Sequence, residues 1–101
     1  MNNRPEVVCL CGSTRFEKHF HQIARRLSLE GKIVLTVHVF RAGENLTVEQ
    51  ESFLDTLHLF KIDMCARVHI VNIDGYMGTG TLRELEYARQ LGKLVSFEVV
   101  Q

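Results

Sequence analysis

EVVCLCGSTRFEKHFHQIARRLSLEGKIVL, Glu6 to Leu35, is the stretch that decides the fold. Its first residues, Glu6 to Cys11, form an apolar run that stops at Gly-Ser-Thr, the pattern of a buried strand ended by a turn. Phe16, Phe20, Ile23 and Leu27 then recur at helical spacing, and Gly31 supplies a C-terminal stop. A second apolar run, Lys32 to Phe40, follows at once. Strand, helix and strand in direct succession predict two parallel strands joined by a helical crossover.

The rest of the chain repeats this unit. After the loop Arg41–Asn45, Thr47 and Gln50 match a capping box, and Phe53, Leu57, Phe60 and Met64 are expected to form the buried stripe of a second helix. Arg67–Ile73 reads as a third strand, Leu82, Leu85, Ala88 and Leu91 mark a third helix, and Lys93–Val100 reads as a fourth strand. The order βαβαβαβ, with strands apolar on both faces, predicts one three-layer α/β domain over residues 1–101. Its sheet is expected to have four or five parallel strands in the order 2-1-3-4, flavodoxin-like or Rossmann-like. Strands 1 and 3 are then neighbours whose following helices lie on opposite faces, so a crevice opens at their C-terminal ends. The second helix carries further apolar residues, Leu54, Leu59 and Ile62, outside its main stripe. Either its core-facing stripe is wide, or it also meets a second copy in a homodimer or higher homo-oligomer.

A chain of 101 residues has room for one modest core. Twelve basic and twelve acidic residues cancel, so no global field recruits nucleic acid or an anionic membrane. The N-terminus has no apolar segment of signal-peptide or membrane-spanning length, which leads to the expectation of a cytoplasmic protein. Cys9, Cys11 and Cys65 make an odd count without a C-x-x-C pair and read as buried free thiols. His19 and His21 are two apart on a helix and point to different faces, so no metal site and no cofactor is expected.

Two loops enter the predicted crevice, and they are the richest in Gly, Ser and Thr in the chain. Gly12, Ser13, Thr14 and Arg15 open the first helix, where free N–H groups, hydroxyls and a guanidinium suit a phosphate or a sugar hydroxyl. The alternative is that Thr14 only caps the helix with Glu17. Gly78, Thr79, Gly80 and Thr81 let a ligand approach the backbone closely. They match neither a Walker loop nor a dinucleotide fingerprint. Glu84 stands three residues after Thr81, so it is either a capping-box partner or a carboxylate held ionised by the helix dipole in the first turn, at the mouth of the crevice. Asp74 is a second carboxylate candidate or a turn residue. Tyr76 stacks on a base or packs over the loop, and His38 reaches the crevice rim or stays in the core.

Taken together, VCLCGSTRF, LHLFKIDMCARVHIVNIDGYMGTGT and RELEYARQLGK, which span most of the chain, resemble the nucleoside 2-deoxyribosyltransferase-like family and its 2'-deoxynucleoside 5'-phosphate N-hydrolase relatives. GTGTLREL is also similar to the loop of LOG-type nucleotide phosphoribohydrolases. The resemblance implies cleavage of an N-glycosidic bond in a nucleoside or nucleoside 5'-monophosphate, with Glu84 of Glu84-Leu85-Glu86-Tyr87-Ala88 as the nucleophile. It assigns no metal. The transferases commonly carry an aspartate at the position of Gly78, which leaves Asp74 as the substitute. A non-catalytic nucleotide-binding module of the same fold is the alternative, and a flavin-bearing electron carrier a weaker one.

Overall fold

The computed structural model describes residues 4–40 and 45–98. Four strands, β1 (Val7–Gly12), β2 (Ile33–Leu35), β3 (Arg67–Val71) and β4 (Leu94–Phe97), alternate with three helices, α1 (Glu17–Leu29), α2 (Val48–Met64) and α3 (Thr79–Gln90). All strands are parallel, in the order β2-β1-β3-β4, with Cys9 opposite Leu35 on one side and Val68 on the other. This is the doubly wound, Rossmann-like α/β architecture that the alternating pattern predicts.

Strand alternation divides the core into two layers. Val8, Leu10 and Val71 face α1 and pack with Phe20, Ile23 and Leu27. Cys9, Cys11, Val68 and Ile70 face the other way, against Ile62 of α2 and Leu85 and Ala88 of α3. Where β1 ends, Gly12 is required sterically: a Cβ there would lie 2.7 Å from the Val71 carbonyl oxygen.

Four local expectations are corrected. The second strand is shorter than Lys32–Phe40, because pairing with β1 stops at Leu35. Beyond it Phe40 turns into the α1 layer, where its ring meets Phe20 edge-on with centroids 5.6 Å apart. In α2 the Thr47–Gln50 capping box forms in both directions, but the anticipated buried stripe faces outward: Phe53, Phe60 and Met64 are 64%, 58% and 67% exposed. The inward face is instead His58 and Ile62, flanked by the partly buried Leu54 and Leu59. A histidine interrupts that face, so apolarity alone points to the wrong side of the helix. In α3 only Leu85 and Ala88 of the expected stripe are buried, with Thr81, while Leu82 and Leu91 are exposed. Finally, Ser13 rather than Thr14 caps the entry to α1, its Oγ accepting from the Arg15 N–H across a 3₁₀ turn over Thr14–Phe16. The loop Arg41–Glu44 and the end of the expected fourth strand, Val99–Val100, lie outside the described residues.

Side chains lock the layers together. Lys61 donates to the Thr36 carbonyl at 2.7 Å, and Lys93 donates to the carbonyls of Asp63 and Cys65 at the end of α2. Tyr87 of α3 donates to the Asp63 carboxylate. On the other face Arg26 of α1 forms a two-pronged bridge to Glu98, which also accepts from His69 Nε2, while Ser96 pairs with His69 Nδ1.

Candidate active site

A cleft of about 320 Å³ opens at the C-terminal ends of β1 and β3. Gly12, Ser13 and Thr14 form one edge, Tyr76 and Gly78–Thr81 another, and Leu54, Asp55, Leu57, His58 and Lys61 of α2 a wall. The two loops singled out in the sequence therefore meet in one place. Val37–Val39, the segment that leaves the sheet after β2, completes the rim and carries His38, which is exposed.

The helix N-terminus beside the cleft is open. α3 begins at Thr79, with Gly78 at its N-cap and no side-chain cap. Thr81 is buried in the third position, so Thr81 and Glu84 do not form the capping box their spacing allows. Glu84 is the sixth residue of α3, in its second turn, rather than in the first turn where the dipole would hold it ionised. A Cβ on Gly80 would meet nothing within 4 Å. Glycine costs a helix about 1 kcal/mol relative to alanine, and here it leaves space beside unpaired backbone N–H groups.

Glu84 lines the cleft together with His58, and the fully buried Cys9 and Cys11 lie against the imidazole. Burial pushes the Glu84 carboxyl up from the ordinary value; His58 and a hydrogen bond with Cys11 pull it back only in part, while Cys9 and Asp55 raise it further. His58 Nε2 lies 3.4 Å from Cys11 Sγ and 3.8 Å from Cys9 Sγ. Burial pulls the imidazole down, but the hydrogen bond with Cys9 and the charge of Glu84 outweigh it, and its pKa is raised. Hydrogen bonding with Cys11 brings the Cys9 thiol down to about 6 against the opposing effect of burial, with His58 assisting. Cys11 is driven up by Cys9 first and then by burial. Glu84, His58, Cys9 and Cys11 thus influence one another electrostatically, with His58 in contact with both thiols.

No protein-family model matches the chain, and no curated protein matches it either.

Not every residue singled out in the sequence reaches the cleft. Arg15 is exposed and lies over the Tyr76 ring, 4.1 Å from its centroid, with Phe16 edge-on to the same ring. Tyr76 is therefore packed over the loop, although it still lines the cleft. Asp74 is exposed in a 3₁₀ turn with φ 55° and is not among the lining residues, a turn position followed by Gly75 at φ 76°. Asp55, His58 and Lys61 were missed. Their only signal is spacing: Asp55, His58 and Ile62 fall at three- and four-residue steps, so acid, imidazole and core share one helical flank.

Proposed function

We propose that the protein cleaves the N-glycosidic bond of a nucleoside or nucleoside 5'-monophosphate, by hydrolysis or by transfer to a second base, with Glu84 as nucleophile. The observation that carries this is that Glu84 lines a cleft formed by both Gly/Ser/Thr loops, beside an uncapped helix N-terminus. The cleft's volume falls at the lower end of the range for small-molecule sites, about 300–1,000 Å³.

The Glu84 carboxylate attacks C1', the C1'–N bond breaks, and the base leaves with the bonding pair and takes a proton from a water molecule in the cleft, which is left as hydroxide. Water or an acceptor base then attacks C1' and Glu84 departs as a carboxylate. Asp55 replaces Asp74 as the carboxylate that accepts the proton from the attacking water, since it lines the cleft and its charge acts on Glu84. Ser13 and Thr14, with the free N–H groups of α3, receive the phosphate or sugar end, and Tyr76 borders the base. The assembly is a homodimer through the outward apolar stripe of α2, whose members Phe53, Leu57, Phe60 and Met64 share one face.

The position of Asp74, in an exposed left-handed turn outside the cleft lining, favours a second reading, a nucleotide-binding module in which Glu84 accepts from a ribose hydroxyl. Chromatography of free base decides between them. Purified wild type and Glu84→Gln are incubated with deoxynucleosides, ribonucleosides and their 5'-monophosphates, with and without an acceptor base. Base release by wild type and its loss in the variant are expected for a covalent nucleophile. Nucleotide binding by both proteins with no base released from any substrate would overturn the enzyme and leave the module.

A further inference from the structure

Beneath the cleft, β1 and α2 bring together two thiols and an imidazole from positions 47 and 49 residues apart. Cys9 and Cys11 are two apart on one strand, so both point to the α2 side, and His58 faces them from the helix. The two Sγ atoms and a ring nitrogen all lie within 4.8 Å of one another, and all three residues are buried. No disulfide ties up the thiols. Ile62, Val68, Ile70 and Leu85 pack around them in a buried cluster that also holds Cys65, and Cys9 Sγ donates to the Leu10 carbonyl at 3.9 Å.

We propose that Cys9, Cys11 and His58 bind a divalent cation of the zinc class, with a fourth coordination position facing Glu84 and the cleft. Two sulfurs and one imidazole are a donor set that selects zinc-like ions over the oxygen-seeking magnesium and calcium. Three protein ligands with one open position is also the arrangement that leaves a bound ion accessible to a small molecule. The entry path is short, because His58 lines the cleft and the two thiols lie directly behind it. The site does not rest on the glycosidase reading. If both hold, the ion and the glycosyl chemistry compete, since the cation sits against Glu84 and occupies His58.

The test needs no substrate. Protein stripped with a chelator under reducing conditions is titrated with Co²⁺, followed by its thiolate-to-metal absorption, and then with Zn²⁺ against a chromogenic chelator. One ion per chain is expected, with sulfur-to-cobalt charge transfer that Zn²⁺ bleaches. Cys9→Ser, Cys11→Ser and His58→Ala should each weaken binding by about 100-fold or more, beyond the 10–100-fold typical of losing an outer-shell partner. Cys65→Ser, which alters a buried thiol whose own bond runs to the Ile62 carbonyl, should leave binding unchanged. Circular dichroism selects the variants that remain folded. Absence of thiolate absorption in wild type at stoichiometric Co²⁺ would overturn the site, as would unchanged affinity in folded Cys9→Ser and Cys11→Ser proteins.

Discussion

Removing the Glu98 carboxylate should lower stability near neutrality and leave much less effect in acid. Arg26 holds this carboxyl at about 2 rather than 4.5, mainly by hydrogen bonding, while burial opposes the shift and His69 reinforces it. The gap, 4.5 − 2, or about 2.5 pH units at 1.36 kcal/mol each, sets a ceiling of about 3.4 kcal/mol. The Arg26 side chain is 48% exposed, so solvent screening brings the contribution to about 1–2 kcal/mol. The sign follows from a lowered folded-state pKa: the stabilisation is fully present above 4.5 and disappears as pH falls towards 2. By pH 3, (4.5 − 3)/2.5, or about 60% of it, should be gone. Urea unfolding of wild type and Glu98→Gln at pH 7, 5 and 3 measures the difference directly. A difference of about 1–2 kcal/mol at pH 5 that falls by more than half at pH 3 is expected. A difference equal at both would refute the electrostatic account and assign the loss to packing.

Further outcomes follow from other parts of the molecule. Gly12→Ala forces a Cβ to 2.7 Å from the Val71 carbonyl oxygen and 3.0 Å from its Cβ, and overpacking of this kind costs about 1–3 kcal/mol. Calorimetry should show a fall of about 4–8 °C per kcal/mol for a domain of this size, and an unchanged midpoint would contradict the close approach. Thr47→Ala removes a two-way capping box and should cost about 1 kcal/mol in thermal unfolding. Phe60→Asp should change monomer stability by no more than about 0.5 kcal/mol, because the ring is exposed. It should nevertheless shift sedimentation equilibrium towards monomer, and identical profiles for wild type and variant would remove α2 from the proposed dimer.

The fold was legible because its determinants are local. An apolar run stopped by Gly-Ser-Thr, a helical run stopped by Gly31 and a second apolar run after it leave few ways to build a parallel sheet. The convergence of the Ser13 and Gly80 loops followed from that topology. What escaped the sequence was local in a different sense, depending on which side of an element faces inward. Hydropathy favours Phe53 and Phe60 over His58, yet His58 is buried because two thiols from β1 receive it. Likewise, Thr81 and Glu84 have capping-box spacing, but α3 starts three residues earlier than that spacing implies, at Thr79, which carries Glu84 into the second turn. Asp74 reads as a second carboxylate or a turn residue, and it occupies a left-handed turn outside the cleft lining, while Arg15 lies over the ring of the cleft-lining Tyr76.

The cleft wall formed by α2 is fastened by two lysines that grip main-chain oxygens: Lys61 on residue 36, and Lys93 on residues 63 and 65. Every amino acid offers a carbonyl, so the anchored positions contribute no side-chain requirement to these bonds. A changed side chain at residue 36 therefore leaves the Lys61 bond available, whereas Cys65 is fixed separately by its burial in the core. The two lysines hold the information that sets how wide the cleft stands.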